Sequence, residues 1–321
     1  MKLPFFHRVK KRLHDMLRSE EDPSEDKFID KLIPTGSISM RNSMKNMEGT
    51  TTAQKMEDLY NLVSQLTQSI RDLVVQNDAN ESKIKLYQNE DIGLMLERWK
   101  KLERDFRHPR TGIFDVSKIP DLYDSIKYDA QHNAQLQIPV MDELYETSKQ
   151  IADLVIPQEY GITKEEKLNI SHGYCVPLLR KILADLQANI ENPDEPGNRL
   201  NPLFSKGVLS PGRHVRTRLY FTSESHIHSL LTLLRYGGLC DPNDEQWDRA
   251  LDYISRVSEL NYMTQIVIML YEDPTKEADS DERFHIELHF SPGAKSHKDD
   301  DKFPAGGGFR PASKPNSRDV S

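Results

Sequence analysis

Cysteine is nearly absent: Cys175 and Cys240 are the only two in 321 residues. A disulfide-dense scaffold is therefore excluded, and free thiols in a reducing compartment are expected. Long hydrophobic runs are missing too. No apolar stretch approaches the ~20 residues of a membrane span. The start, MKLPFFHRVKKRLHDMLR, is apolar too briefly for a secretory signal and turns basic at once. A cytosolic chain is the expectation. Excess positive charge is lacking as well. Lys and Arg number 43 against 51 Asp and Glu, a net charge of −8. That balance argues against a nucleic-acid binder held by phosphate contacts. There is no GxxxxGKS/T or GxGxxG phosphate loop and no GxSxG elbow.

What is there is mostly helical grammar. Phe5, Phe6, Val9, Leu13, Met16 and Leu17 recur at helical spacing, with Lys10, Lys11 and Arg12 off the stripe. A docking helix is favoured over a membrane-surface helix. Residues 19–27 are acidic and read as a linker. Residues 35–53, rich in Ser, Thr, Asn and Met, read as loop. Residues 1–53 are thus expected to be a helix and a polar linker. Met56, Leu59, Val63, Leu66, Ile70 and Leu73 step by three and four, one seam of a helix. Further helices are expected over 90–106, 120–131 with Pro120 near its first turn, and 139–155. Another, over 163–190, opens on the capping-box pattern Thr163-x-x-Glu166 and should be kinked or split by Pro177. Residues 54–205 form this mainly helical region.

The pattern changes after Ser210-Pro211-Gly212. RHVRTRLYFT (213–222) alternates as a strand, with Val215, Thr217, Leu219 and Phe221 on one side. Helices are expected over 225–236, closed by Gly237-Gly238, and over 244–259. MTQIVIMLYE then reads as a strand buried on both faces. RFHIELHF alternates apolar Phe284, Ile286, Leu288 and Phe290 with polar residues. Strand, two helices, strand suggests a crossover unit with a hairpin added. Residues 206–292 make this α/β part, and 293–321 read as a disordered tail.

The stretch YFTSESHIHSLL (220–231) sets Ser223-Glu224-Ser225-His226 between an apolar strand and an apolar helix. A helix N-terminus presents unpaired N–H groups and partial positive charge, a natural phosphate site at a sheet's carboxyl edge. Ser223 or Ser225 is placed to cap the helix, and His226 falls in its first turn. The plainer reading is a capped helix whose Ser and His are only hydrogen-bonded; both stand. Arg218, ~13 Å back along a strand, is within reach of the junction. Lys206, Arg213, Arg216 and Arg218 form a basic cluster that suits a polyanion, while Arg213 and Arg216 read rather as surface or structural. No metal site is expected. His226 and His228 are two apart on a helix and point apart. His285 and His289 on a strand lie ~13 Å from each other.

The stretches IPDLYDSIKYDAQHN, ADLVIPQEYGIT, GVLSPGRHVRTRLYFTSESHIHSLLTLLRYGGL, ELNYMTQIVIMLYED and RFHIELHFSPGAK closely resemble the inositol hexakisphosphate and diphosphoinositol pentakisphosphate kinase family. The likeness is dense from about 88 to 292. The resemblance implies the second half of that family's histidine acid phosphatase-like domain. It implies an α/β fold, a partial three-layer histidine-phosphatase-like sheet with a large helical cap over it. In histidine acid phosphatases an RHGxR motif supplies the phosphoryl-accepting histidine; this sequence has none. A later His-Asp motif supplies a phosphate-contacting histidine and a proton donor. His226 matches that histidine, and Ile227 stands where the acid would be. Glu224 is a candidate stand-in, with Ser223, Ser225 and Arg218 as substrate-binding candidates. The resemblance further implies an upstream kinase domain, outside these 321 residues, that would hold ATP and Mg; no cofactor is expected in this chain. Its ligands would be inositol polyphosphates or inositol pyrophosphates, and its partner the N-terminal half of the same enzyme. Two roles follow: a section of a bifunctional kinase and phosphatase, inactive alone, or a non-catalytic inositol polyphosphate-binding module.

Overall fold

The computed structural model describes residues 4–79, 84–191, 217–239, 241, 243–277, 279–280 and 282–294. Helix α1 (Pro4–Leu17) buries Val9, Leu13, Met16 and Leu17, so its stripe docks onto the protein. Two short helices follow, α2 (Asp26–Leu32) and α3 (Ile38–Lys45). Helix α3 corrects the expectation of loop over 35–53, and α2 adds a helix just past the acidic stretch, whose residues 19–25 carry none. Phe28, Ile29, Leu32 and Ile33 are buried, as are Met40, Met44 and Met47. The methionines form a three- and four-step seam hidden among Ser and Asn. Those polar residues are poor helix formers, and burial of the seam outweighs them.

The central helices are α4 (Thr52–Ala79), α5 (Ile92–Phe106), α6 (Ile119–His132), α7 (Met141–Val155) and α8 (Lys164–Glu191). Each begins for a local reason. Asp91 accepts from the Gly93 N–H at 2.7 Å to cap α5. Pro120 occupies the first turn of α6. Ahead of α8 the expected capping box is closed: Glu166 N–H donates to Thr163 Oγ1 at 3.2 Å, and Thr163 N–H to Glu166 Oε2 at 3.0 Å. Pro177 lies inside α8, which runs unbroken past it, so the expected split does not occur. Met56, Leu59, Val63, Leu66 and Ile70 of α4 join Trp99, Tyr123, Leu144 and Ile151 in one core that extends from Val9 to Ile170.

That core holds one charged side chain fully out of water. Asp129 on α6 accepts from Arg98 Nη1 and Nη2, both at 3.0 Å, from Trp99 Nε1 at 2.7 Å and from Asn133 Nδ2 at 2.9 Å. Arg98 reaches back to Glu90 at 3.1 Å. A buried carboxylate persists only with its acceptor sites filled this way.

The last third adds α9 (Glu224–Tyr236), α10 (Glu245–Arg256), β1 (Gln265–Glu272) and β2 (Phe284–Ser291). Helix α9 packs along α8. Gly237 caps it, and Gly238 follows with φ +73°, the left-handed conformation that favours glycine. Strands β1 and β2 pair antiparallel, from Gln265 opposite Ser291 to Glu272 opposite Phe284, so the expected hairpin is present. Between α10 and β1, Glu259 is gripped from α6 by Lys127 at 2.5 Å and Tyr123 Oη at 3.1 Å. That grip fastens the hairpin's approach to the helices.

Two strand expectations fail. Residues 217–223 are not a strand and join no ladder among the described residues; 213–216 lie outside them. A helix satisfies its own backbone, whereas a strand needs a neighbour, and here none is described. Among the described residues there is therefore no crossover unit, and the sheet is the β1–β2 hairpin. Strand β1 is not buried on both faces: Ile266, Ile268 and Leu270 are half-buried, while Val267, Met269 and Tyr271 are exposed. The fold is therefore α/β with a large helical portion and a partial sheet. Among the described residues no helix is long and apolar enough to cross a membrane.

Candidate functional site

Residues 217–222 lead into α9 without helix or strand. Ser223, with φ −80° and ψ 161°, is the residue before the helix, so His226 falls in the first turn as expected. The cap is not the expected one. No side-chain hydrogen bond closes the start of α9. The Ser223 hydroxyl instead meets His226 Nδ1 at 3.1 Å, and the Ser225 hydroxyl meets Tyr160 Oη at 3.0 Å. The His226 and Ile227 N–H groups donate to the Ser223 carbonyl. The N–H groups of Glu224 and Ser225 take no partner among the described residues. Those two donors sit at the positive end of a helix.

Beside this turn lies a cleft of about 1580 Å³. Its polar wall includes Glu224 and His228 of α9, Asp124 and Lys127 of α6, and Glu259. Its apolar wall includes Leu219, Phe221, Ile266, Ile268 and Leu270. Ile227 also lines it, whereas His226 does not. The His226 ring is half-buried at the rim, edge-on to Tyr174 of α8 with centroids 5.9 Å apart. Arg218 lines the cleft, but its guanidinium is held by α8. It lies 3.4 Å from Asp185 Oδ1 and donates to the Asp185 carbonyl at 3.3 Å. Tyr220 Oη also donates to the Asp185 carboxylate. Lys206, Arg213 and Arg216 lie outside the described residues.

Sequence reasoning missed His228. It stacks on Tyr160, centroids 4.8 Å apart, and its Nε2 lies 3.1 Å from Glu224 Oε1. The signal was available: Glu224 and His228 are four apart on a helix and share a face. Two hydrogen-bonded pairs, Ser225 with Tyr160 and His228 with Glu224, thus meet through the stacked Tyr160 and His228 rings. Burial, against the Ser225 hydrogen bond, pushes the Tyr160 hydroxyl up to about 12, so it stays a neutral donor or acceptor. On α8, Cys175 is a buried free thiol, and burial pushes its ionisation up. Cys240 lies outside the described residues.

The family model of the histidine phosphatase superfamily, branch 2, matches residues 9–291. The chain belongs to that superfamily. It is 55% identical over 311 residues, 97% of its length, to inositol hexakisphosphate and diphosphoinositol-pentakisphosphate kinase 2 of Xenopus laevis, and covers 27% of that protein. It is 55% identical over 310 residues to the human protein of the same name, covering 96% of this chain and 24% of that one. Against the Caenorhabditis elegans kinase of the family it is 43% identical over 296 residues, 89% of this chain and 22% of the relative. The chain thus spans about a quarter of the length of the curated relatives it matches. No solved structure matches it.

Among the residues that line the cleft, Asp124 is exposed. Even so, burial first, then the neighbouring Glu224 carboxylate, push its carboxyl up to about 6, against the pull of Lys127. The folded chain therefore holds the Asp124 proton to a higher pH than the unfolded chain, whose carboxyl titrates near 3.8. That contribution to stability is complete below the unfolded value and is lost as pH rises through the folded one. Asp124→Asn cannot ionise, so it escapes the loss. Thermal melts of variant and parent should diverge from pH 4 to pH 7, the variant gaining as pH rises. A constant difference across that window would contradict the assignment.

Proposed function

We propose that this chain is the C-terminal section of the histidine phosphatase-like domain of a bifunctional enzyme. That enzyme would use ATP to phosphorylate inositol hexakisphosphate and diphosphoinositol pentakisphosphate. The chain alone binds phosphorylated inositols and does not turn them over. One observation carries the binding: the Glu224 and Ser225 N–H groups stand open at the α9 N-terminus, beside the His226 ring and the cleft. A phosphate there would accept from both N–H groups, with the His226 ring as a further donor. Ser223 and Ser225 hydroxyls are close enough to join. Arg218 contributes field rather than contact while Asp185 holds it.

The kinase reaction, with its ATP and Mg, is assigned to sequence outside this chain, and the compartment to the cytosol. The upstream half of the same protein is the proposed partner. Its place is the cleft's apolar wall, where Leu219 and Phe221 are 75% and 88% exposed. Surface of that kind marks an interface. Ile227 in the acid's position favours binding without hydrolysis. The alternative, a catalytic role within the longer enzyme, rests on Glu224, which lines the cleft and would have to supply the proton.

Calorimetric titration with inositol hexakisphosphate tests this. Charge-assisted hydrogen bonds contribute about 1.5–3 kcal/mol each, so His226→Ala should weaken binding roughly tenfold or more. Unchanged affinity in a folded His226→Ala variant would remove His226 from the site.

A further inference from the structure

A second concavity lies on the helical portion, between α4 and the turn that follows α5. It measures about 460 Å³ and is lined by Tyr60, Lys100, Glu103, Arg104, Arg107 and His108, among others. The chain carries a net charge of −8, yet the lining of this space is richer in cations than in carboxylates. Three permanent cations line the space against one carboxylate. That carboxylate, Glu103, already accepts from Ser64 Oγ at 2.7 Å.

The donors are held in advance. The Arg107 guanidinium lies 4.8 Å from the Tyr60 ring centroid and 5.2 Å from that of Phe114. Its Nε donates to the Gly112 carbonyl at 3.3 Å and its Nη1 to Glu57 at 2.8 Å. The Nη2 group takes no hydrogen-bond partner among the described residues. A stacked and anchored guanidinium loses little freedom when it binds. The turn itself fixes the imidazole. Gly112, at φ +67°, lets the chain close so that its N–H donates to the His108 carbonyl at 2.9 Å. Within that turn the N–H groups of Arg110 and Thr111 both approach His108 Nδ1 at 3.3 Å. Nδ1 is thus an acceptor, and the neutral ring carries its proton on Nε2 as a donor. Among the described residues Lys100 pairs with the exposed Glu97 at 2.8 Å and Arg104 with the half-buried Asp105 at 3.5 Å, surface ion pairs of little strength against an incoming anion.

We infer that this concavity is a second anion site, separate from the α9 turn, which takes a phosphate-bearing small molecule or headgroup. Donors converging from a guanidinium fork, an ammonium and an imidazole suit the several oxygens of a phosphate. The volume falls within the range of small-ligand pockets.

The test follows the His108 and His226 ring signals together by NMR in the full chain. Inorganic pyrophosphate is titrated in one arm. Phosphatidylcholine vesicles with and without phosphatidylinositol bisphosphate are titrated in the other. The expected result is a saturable shift of His108 with pyrophosphate, with the phosphorylated vesicles, or with both; the arm that responds names the source. The double variant Lys100→Glu, Arg104→Glu should weaken that response roughly tenfold or more while His226 responds as before. His226→Ala should leave the His108 titration intact, so this site and the α9 site fail separately. A His108 ring that stays still in both arms overturns the inference, and so does a double variant that titrates like the parent. An equal response to polyglutamate would overturn the phosphate class.

Discussion

Asp129→Ala should cost the chain about 3–5 kcal/mol, the range for stripping one partner from a buried ion pair. Its carboxylate is fully shielded from solvent and receives four donors from three residues. Removing it leaves the Arg98 guanidinium with Glu90 as its remaining ion-pair partner among the described residues. It also leaves the Trp99 indole N–H unpaired in a side chain with no exposure at all. Unpaired buried donors keep their full desolvation cost. Asn133 loses its anchor too, and with it the grip of its Oδ1 on the Tyr87 N–H, at 3.0 Å. At this chain length the loss corresponds to a fall of roughly 10 °C in Tm. Asp129→Asn retains the shape and one acceptor, and should fall between variant and parent. A melt of Asp129→Ala within about 2 °C of the parent would show that the network contributes far less than its geometry indicates.

The second large effect is on chemistry. Purified as these 321 residues, the chain should release no orthophosphate from a diphosphoinositol pentakisphosphate. Losing the nucleophile of a covalent mechanism costs on the order of 10⁴-fold or more, a deficit that leaves nothing above background. Phosphoryl transfer to an imidazole needs an open ring nitrogen in line with the leaving oxygen, and an acid to protonate that oxygen. The RHGxR motif that carries the accepting ring in histidine acid phosphatases is missing from the sequence. His226 Nδ1 is engaged with Ser223, and His228 is stacked on Tyr160 and paired with Glu224. Ile227 stands where the family resemblance would place the acid, and its side chain can protonate nothing. Steady release of phosphate that disappears in His226→Ala or His228→Ala would mean that α9 alone carries a catalytic histidine.

Helices were legible in the sequence because each one carries its own evidence. The seam of α4, the capping box of α8 and Pro120 in α6 are all local, and the structure keeps them. Helix α3 escaped notice because its methionines were scattered through polar residues, and only tertiary burial shows that they share a face. The stretch over 213–222 has the alternation of a strand, but alternation describes a face, not a neighbour. Its described part, 217–222, joins no described strand, with Leu219 and Phe221 facing solvent. The same shortage leaves Val267, Met269 and Tyr271 of β1 exposed.

At the site, the sequence located the turn but not its wiring. Ser223 and His226 come together as three-apart neighbours on a helix start would. Tyr160, which takes the Ser225 hydroxyl, lies 65 residues away. Asp185, which holds Arg218, lies 33 residues away. Contacts of that range leave no local pattern to read. Nor does the grip of Tyr123 and Lys127 on Glu259, more than a hundred residues apart in the chain.

The most direct measurement is the His226 ring itself, its carbon-bound proton signals followed by NMR as inositol hexakisphosphate is added near neutral pH. A phosphate docked on the Glu224 and Ser225 amides should shift those signals saturably and raise the ring's pKa, because a nearby anion favours the imidazolium. Ring signals and titration midpoint that stay unmoved at saturating ligand would contradict an anion site at the start of α9.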